Sequence, residues 1–226
     1  MFTQPLEIRR VKNPDNTNDA VKEFISKDRC VVLIGERPLY GKTRNGANNW
    51  KIMEGNLFMS IGLVAENIKV GEIVLKVAVA VGELISKWIP NVEYKWPNDI
   101  LIDGKKVSGI LLEYHDNRLV IGIGINVLYS PYEWSTCLHE YHQVDLVELP
   151  LQIMESLKVY GDMDADQLTN LWKRKAAFLG KLINFDANGE IVKGMFSDIA
   201  SDGALILRTE YDSSEKRFYS GSICVT

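Results

Sequence analysis

The chain has 226 residues, 46% of them hydrophobic and 25% charged, with a net charge of −4 at pH 7. That make-up suits one large soluble domain, or a domain with a small companion, able to bury roughly 70% of its unfolded surface without staples. The acidic balance, with a pI near 5.5, argues against general nucleic-acid binding, which carries a basic footprint.

Ile8 to Val11 reads as a short strand before the turn-rich Asn13–Asn16. Thr17 or Asn18 is the predicted cap of a helix through Val21, Phe24 and Ile25, which recur at helical spacing. Cys30 to Ile34 is an apolar, β-branched run expected to be a buried strand. Gly35 to Asn49 follows as a long polar loop holding Gly41, Gly46, Arg37, Lys42 and Arg44. A loop of that length inside a compact domain is usually functional or disordered. Asn56 to Val64 is a further strand, and Gly71 to Trp88 an amphipathic helix with Ile73, Val77, Val81, Leu84 and Trp88 on one face. Ile100–Ile102 and Val107–Glu113 form a hairpin about Asp103-Gly104, and Arg118 to Val127 is a third run of β character. Helices are expected over Val147–Tyr160 and Ala165–Phe178, the second closed by Gly180. Beyond Gly180 come short β runs, Lys181–Phe185, Ile191–Phe196, Ala204–Arg208 and Arg217–Val225, separated by Asn188-Gly189, Asp202-Gly203 and Tyr211–Glu215. They suit a small β barrel packed on the first domain, with the boundary at 179/180.

Cys30, Cys137 and Cys224 are far apart, and no CxxC or Cys/His spacing of a zinc site exists. His115, His139 and His142 read as ordinary surface or loop histidines. Met1–Arg10 has no signal-type apolar core, and no run of about 18 apolar residues is present to cross a membrane. A cytoplasmic, reduced setting is the expectation.

Two segments carry chemistry. In the Gly35–Asn49 loop, glycines allow close backbone approach while Lys42 and Arg44 supply donors for phosphate or carboxylate; a mobile surface loop with ordinary charges is the rival reading, and no P-loop pattern is present. Lys95-Trp96-Pro97-Asn98-Asp99-Ile100 then sets a bulky anchor, a fixed φ and two polar side chains just before the hairpin. Strand alternation after the turn would put Lys106, Ser108 and Ile110 on one face, with Gly109 on the other leaving room for a flat ligand. A turn with an exposed lysine pair is the alternative.

KWPND (95–99), GKKVSGILLE (104–113) and VIGIGINV (120–127) together resemble the signature of the biotin protein ligases, whose usual form is KWPND, then G-x-K-x-x-G-I-L, then GIGIN. Asn16-Thr17-Asn18 is similar to the family's S-T-N, Gly41-Lys42-Thr43-Arg44 to its G-R-G-R loop, and Trp50 with Gly55 to W-x-S-P-x-G. Glu190–Gly194, Asp198-Ile199 and Asp202–Leu205 resemble its small β domain, so the likeness runs from about Ile8 to the end. Nothing before Ile8 is long enough for the DNA-binding domain of the bifunctional ligase-repressors, and the plain ligase form without DNA binding is expected. Asn16 stands where the family has Ser, Thr43 where the loop has its second Gly, and Pro38 where a Gln is usual. About one extra residue separates Arg44 from Trp50.

The resemblance implies an α+β catalytic domain with a mixed, mostly antiparallel sheet and packed helices, followed by an SH3-like barrel. It implies activation of biotin by ATP to an acyl-adenylate, then transfer to a lysine of a biotin carboxyl carrier protein. By motif position Lys106 stabilises the reacting phosphate with Arg44 and Lys42, and Asp99 orients or deprotonates the incoming lysine, or merely caps the turn. Asn16, Thr17, Asn18, Gly41, Lys42, Lys106, Gly109 and Gly122 fall to biotin. Arg44, Trp50, Asn98, Gly124, Asn126 and Trp134 fall to the nucleotide, with core or surface packing the alternative for Trp134. Magnesium would be carried by the ATP phosphates, with no protein metal site. A lipoate or octanoate ligase is the nearest rival; its acyl-transferase branch needs a nucleophilic cysteine, and none here has an evident activating partner. A non-catalytic binding module is the other. An exposed sheet edge of this kind often pairs in homodimers.

Overall fold

A computed structural model describes Phe2, residues 4–44, Gly46 and residues 50–224. Asn45 and residues 47–49 of the long loop, and Val225 of the last expected strand, lie outside the described residues.

The main sheet has seven strands in the order β1-β2-β3-β7-β6-β5-β4. These are β1 (Leu6–Val11), β2 (Cys30–Gly35), β3 (Leu57–Val64), β4 (Val92–Lys95), β5 (Asp99–Ile102), β6 (Lys105–His115) and β7 (Arg118–Ile125). β1 lies parallel to β2 and all other neighbours are antiparallel, which gives the mixed, mostly antiparallel sheet expected. Helix α1 (Thr17–Lys22) covers one face over β2, β3 and β7. Helix α2 (Val70–Ile85) covers the other, and α3 (Leu149–Gly161) and α4 (Ala165–Arg174) pack against α2. The period-2 pattern explains this division. In β3 and β7, Met59, Ile61, Ile121, Ile123 and Ile125 enter the large core under α2, while Ser60, Gly62, Gly122 and Gly124 turn to the α1 face. Val21 and Ile25 cover Gly62, whereas the face over Gly122 and Gly124 is left thin and opens into a cavity.

Several sequence expectations change. The cap of α1 is Asn16, not Thr17 or Asn18: its extended backbone frees the side chain to accept from Asp19 N–H at 2.8 Å. Helix α4 ends at Arg174 rather than Phe178, because Ala176 bridges to Tyr94 and Phe178 takes a left-handed φ of 67° before Gly180. Strand β4 was not anticipated. Four residues are too few to display a period, yet Val92 and Tyr94 point inward and pair with β5. Asp103 and Gly104 do make the hairpin turn, both at positive φ.

A β-bulge overturns the expected face sharing of Lys106, Ser108 and Ile110. Ile100 opposes Ser108, but the next residue, Leu101, opposes Lys106, so Val107 is the extra residue. Val107 and Ile110 enter the large core and Ser108 is fully buried, while Lys106 emerges on the Gly109 side.

Past residue 180 a separate five-stranded antiparallel sheet has the order β11-β10-β9-β8-β12. Its strands are β8 (Leu182–Asp186), β9 (Ile191–Ile199), β10 (Leu205–Thr209), β11 (Glu215–Phe218) and β12 (Ser222–Cys224). The single run expected over Arg217–Val225 is two strands, broken at Gly221 with φ 133°. Pairing among the described residues does not join β11 to β12. This sheet shares the large core through Phe185, Phe196, Leu205 and Ile223, and Trp96 fastens it by donating Nε1–H to Gly203 O at 2.9 Å.

Candidate active site

On the α1 face of the main sheet lies a cavity of about 760 Å³. Its floor is the cross-strand pair Gly109–Gly124, with Gly122 beside it. The cap segment contributes Asn16, Thr17 and Asn18, and the loop contributes Gly41, Lys42, Arg44 and Trp50. Asn98, Asp99 and Lys106 come from the turn and the bulge, and Asn126 and Trp134 close the far end. Every candidate residue taken from the sequence therefore borders one space.

The floor is flat because it lacks side chains, and Trp50 lies on it. A Cβ on Gly109 would come within 2.7 Å of Trp50 Cζ3, and one on Gly124 within 3.2 Å of Trp50 Cε2. Trp50 is held at the loop's return, where Gly41 and Trp50 form a bridge. Above the indole, Lys106 Nζ sits 5.0 Å from the ring centroid and 2.7 Å from Asp99 Oδ1. Trp50 Nε1 is buried with no hydrogen-bond partner among the described residues, a donor left for a ligand to satisfy.

The cap end is a closed polar network. Asn18 Nδ2 donates to Glu113 Oε1 at 3.0 Å, and the Ser60 hydroxyl donates to Asn18 Oδ1 at 2.6 Å and lies 2.7 Å from Thr17 Oγ1. Asn16 Nδ2 donates to the Tyr40 hydroxyl at 2.9 Å. Lys42 Nζ reaches Asp19 at 2.6 Å and Glu113 at 3.4 Å, and Lys22 bridges the same two carboxylates. Burial pushes the Asp19 carboxyl up, but hydrogen bonds from Lys22, Lys42 and Asn16 outweigh it and hold the group well below the usual range. Glu113 is likewise lowered: burial opposes, and Lys22 and Asn18 prevail. Two ammoniums and two carboxylates cancel, so this end presents polar groups rather than net charge.

The other end is positive. Arg44 crosses to the second sheet, donating to Gly221 O and, at 3.0 Å, to Ser222 Oγ. Burial lowers its pKa, against the pull of Asp99 and Asp186. Trp134, 59% exposed, stacks on Tyr132 with centroids 4.7 Å apart and planes 8° from parallel. That exposure removes the core-packing alternative for Trp134. Its segment is tied to the bulge, since Lys106 N–H donates to Trp134 O at 3.2 Å. Asn126 Nδ2 donates to Thr136 O at 3.0 Å, and Asn98 Nδ2 to Ile110 O at 2.6 Å.

Sequence reasoning missed Asp19, Glu113, Ser60, Asn56 and Tyr132. Asn56 Oδ1 accepts from three successive N–H groups, Val127, Leu128 and Tyr129, shaping the exit of β7. Glu113 ends the quoted GKKVSGILLE stretch, and its inward parity with Gly109 was the available signal.

The model of the Biotin/lipoate A/B protein ligase family matches residues 10–129, more than half of the chain. The chain belongs to that family. A second model, Biotin protein ligase C terminal domain, matches residues 178–225. Among family relatives, the Biotin--[acetyl-CoA-carboxylase] ligase of Mycobacterium tuberculosis is 34% identical over 110 residues, 46% of this chain and 41% of that protein's length. The Bifunctional ligase/repressor BirA of Salmonella typhimurium is 25% identical over 232 residues, covering 92% of this chain and 71% of that protein. The solved biotin protein ligase of Aquifex aeolicus, in complex with biotin and ATP, superposes with a TM-score of 0.81 at 27% identity, covering 96% of this chain and 97% of that one.

Proposed function

We propose that this chain is a biotin protein ligase, which joins biotin to ATP and passes the biotinyl group to a lysine of a biotin carboxyl carrier protein. The observation that carries the reading is the convergence of four separated segments on one cavity, neutral and hydrogen-bonding at one end and cationic at the other.

In the first half-reaction a biotin carboxylate oxygen attacks the α-phosphorus of ATP, and the bond from that phosphorus to the bridging oxygen of pyrophosphate breaks. Both reactants are anions, so fixed positive charge must meet the charge that develops on the phosphate. Lys106 takes that role, turned toward the cavity by the bulge, with Arg44 covering from the loop. Magnesium, carried by the ATP phosphates rather than by protein ligands, would supply Lewis-acid charge there. The ring system of biotin lies over Gly109 and Gly122 toward Asn16, Thr17, Asn18 and Gly41, whose amides and hydroxyls suit a ureido group. Lys42 acts here by holding the start of the loop to Asp19 and Glu113. The nucleotide takes Asn98, Gly124, Asn126 and Trp50, with its base on the open face of Trp134.

In the second half-reaction the carrier lysine, neutral, attacks the carbonyl carbon of the adenylate. The bond from that carbon to the AMP oxygen breaks, and the lysine's proton passes to Asp99. Residues 1–179 form the catalytic unit and 180–226 the small β unit in this proposal. The setting is the cytoplasm, where ATP and the carrier protein meet the enzyme, and a second copy pairs along the free edge of β1 as a homodimer.

A cysteine-based acyl transfer fits poorly. None of Cys30, Cys137 and Cys224 borders the cavity, burial pushes the Cys30 thiol up to about 11, and Cys137 is raised by burial too. The test is ATP–pyrophosphate exchange with biotin, lipoate and octanoate in turn. Exchange with biotin alone is expected; exchange with lipoate or octanoate instead, or none with any acid, would refute the assignment.

A further inference from the structure

Lys95 has no role in the reaction as proposed, yet it is placed to affect it. It ends β4 directly opposite Asp99, the first residue of β5. Such cross-strand partners carry their side chains on the same face, with Cβ atoms about 4.5–5.5 Å apart. Asp99 is occupied by Lys106 at 2.7 Å. Lys95 is partly buried and has no ion-pair partner among the described residues, while it feels the pull of Asp99 and the repulsion of Lys106. Burial foremost, and then Lys106, hold its pKa below the ordinary lysine value. Two lysines thus share one carboxylate, and only Lys106 holds it.

A nucleotide changes that arrangement. A Lys106 ammonium that turns toward a phosphate weakens its hold on Asp99, and a partly buried carboxylate stripped of its partner is costly. We propose that Lys95 is the reserve counter-ion of this site: as Lys106 turns to the polyphosphate, Asp99 exchanges Lys106 for Lys95. Lys95 is then a positioning residue that acts through Asp99 and frees Lys106 at low cost. The inference rests on the assignment of Lys106 to the phosphate made above.

The test is calorimetric binding of magnesium pyrophosphate to the full chain and three variants. Lys95→Met is expected to bind about tenfold more weakly than wild type, because Lys106 cannot leave Asp99 unpaired. Lys95→Arg should retain most of the affinity, since it keeps the charge. Adding Asp99→Asn to Lys95→Met should restore binding to near the wild-type level, because Lys106 then has no carboxylate to abandon. The thermal midpoint of Lys95→Met should match or exceed wild type, since an unpaired, partly buried cation has been removed. Wild-type affinity in Lys95→Met, or a double variant no tighter than the single one, would overturn the exchange. A lowered midpoint with equal losses for pyrophosphate and biotin would mark a structural lysine and overturn it as well. A wild-type chain without any affinity for pyrophosphate would overturn the placement of Lys106 along with it, so the two failures are distinguishable.

Discussion

Lys106 reaches Asp99 at 2.7 Å only because β6 carries an extra residue at Val107. In an unbulged strand Lys106 would share a face with Ser108 and Ile110 and point into the hydrophobic core. The bulge thus turns a sequence position into a cavity-lining cation, and it does so next to the turn that supplies Asp99.

Lys106→Ala should leave the chain folded, as its side chain borders a cavity rather than filling the core. Removing one fixed charge from a developing oxyanion typically costs a factor of roughly 10²–10³. Biotin-dependent pyrophosphate exchange should fall by that order while circular dichroism is unchanged. Exchange at the wild-type rate would remove Lys106 from the chemistry.

Gly109→Ala tests the floor. The added methyl would press on Trp50 Cζ3 at 2.7 Å and on Lys106 Nζ at 3.2 Å. The indole must lift from the floor, so tryptophan emission should shift, and the KM for biotin, whose ring is placed over Gly109, should rise about tenfold. Unchanged emission and KM would mean that the floor is not a ligand surface.

Arg44→Gly cuts the tie from the loop to Gly221 and Ser222 across the cavity. The adenylate should then escape into solvent and label exposed lysines at random. Mass spectrometry of bystander proteins is expected to find increased biotinylation, and no increase would mean that the loop does not retain the intermediate.

Stability should depend on pH through the cap-end carboxylates. Glu113 is held below its ordinary 4.5, and Asp19 below its ordinary 3.8. A depressed carboxyl contributes stability that is complete above its unfolded value and is lost as pH falls through the folded one. The wild-type melting temperature should therefore decline below about pH 5, with Glu113 responsible for the upper part of that decline. Glu113→Gln should have a lower melting temperature at neutral pH and a shallower acid decline. A constant offset from wild type at every pH would show that the pairing with Lys22 and Asn18 does not carry the effect.

Much of this was legible in the sequence where a residue announces itself locally. Asp103-Gly104 forces a hairpin whatever surrounds it, the β-branched run of β2 reads as buried, and the glycines of β6 and β7 mark a surface open to a ligand. What stayed hidden depends on distant partners. Asp19 and Glu113 look like ordinary surface acids until Lys42 and Lys22 are brought between them. The bulge at Val107 leaves no mark in composition, so plain alternation put Lys106 on the wrong side. Four-residue β4 shows no period, and it is Tyr94, clasped between Glu83 and Trp172, that makes it a strand. Trp134 was ambiguous because exposure and stacking are decided by Tyr132, two residues away but on the same wall.

The most direct measurement of the central claim is the intact mass of a biotin carboxyl carrier protein incubated with this chain, biotin and magnesium ATP. One biotinyl group on one lysine is expected, with AMP and pyrophosphate formed in equal amounts, and no modification when biotin or ATP is left out. An unmodified carrier, or ADP formed in place of AMP, would contradict it.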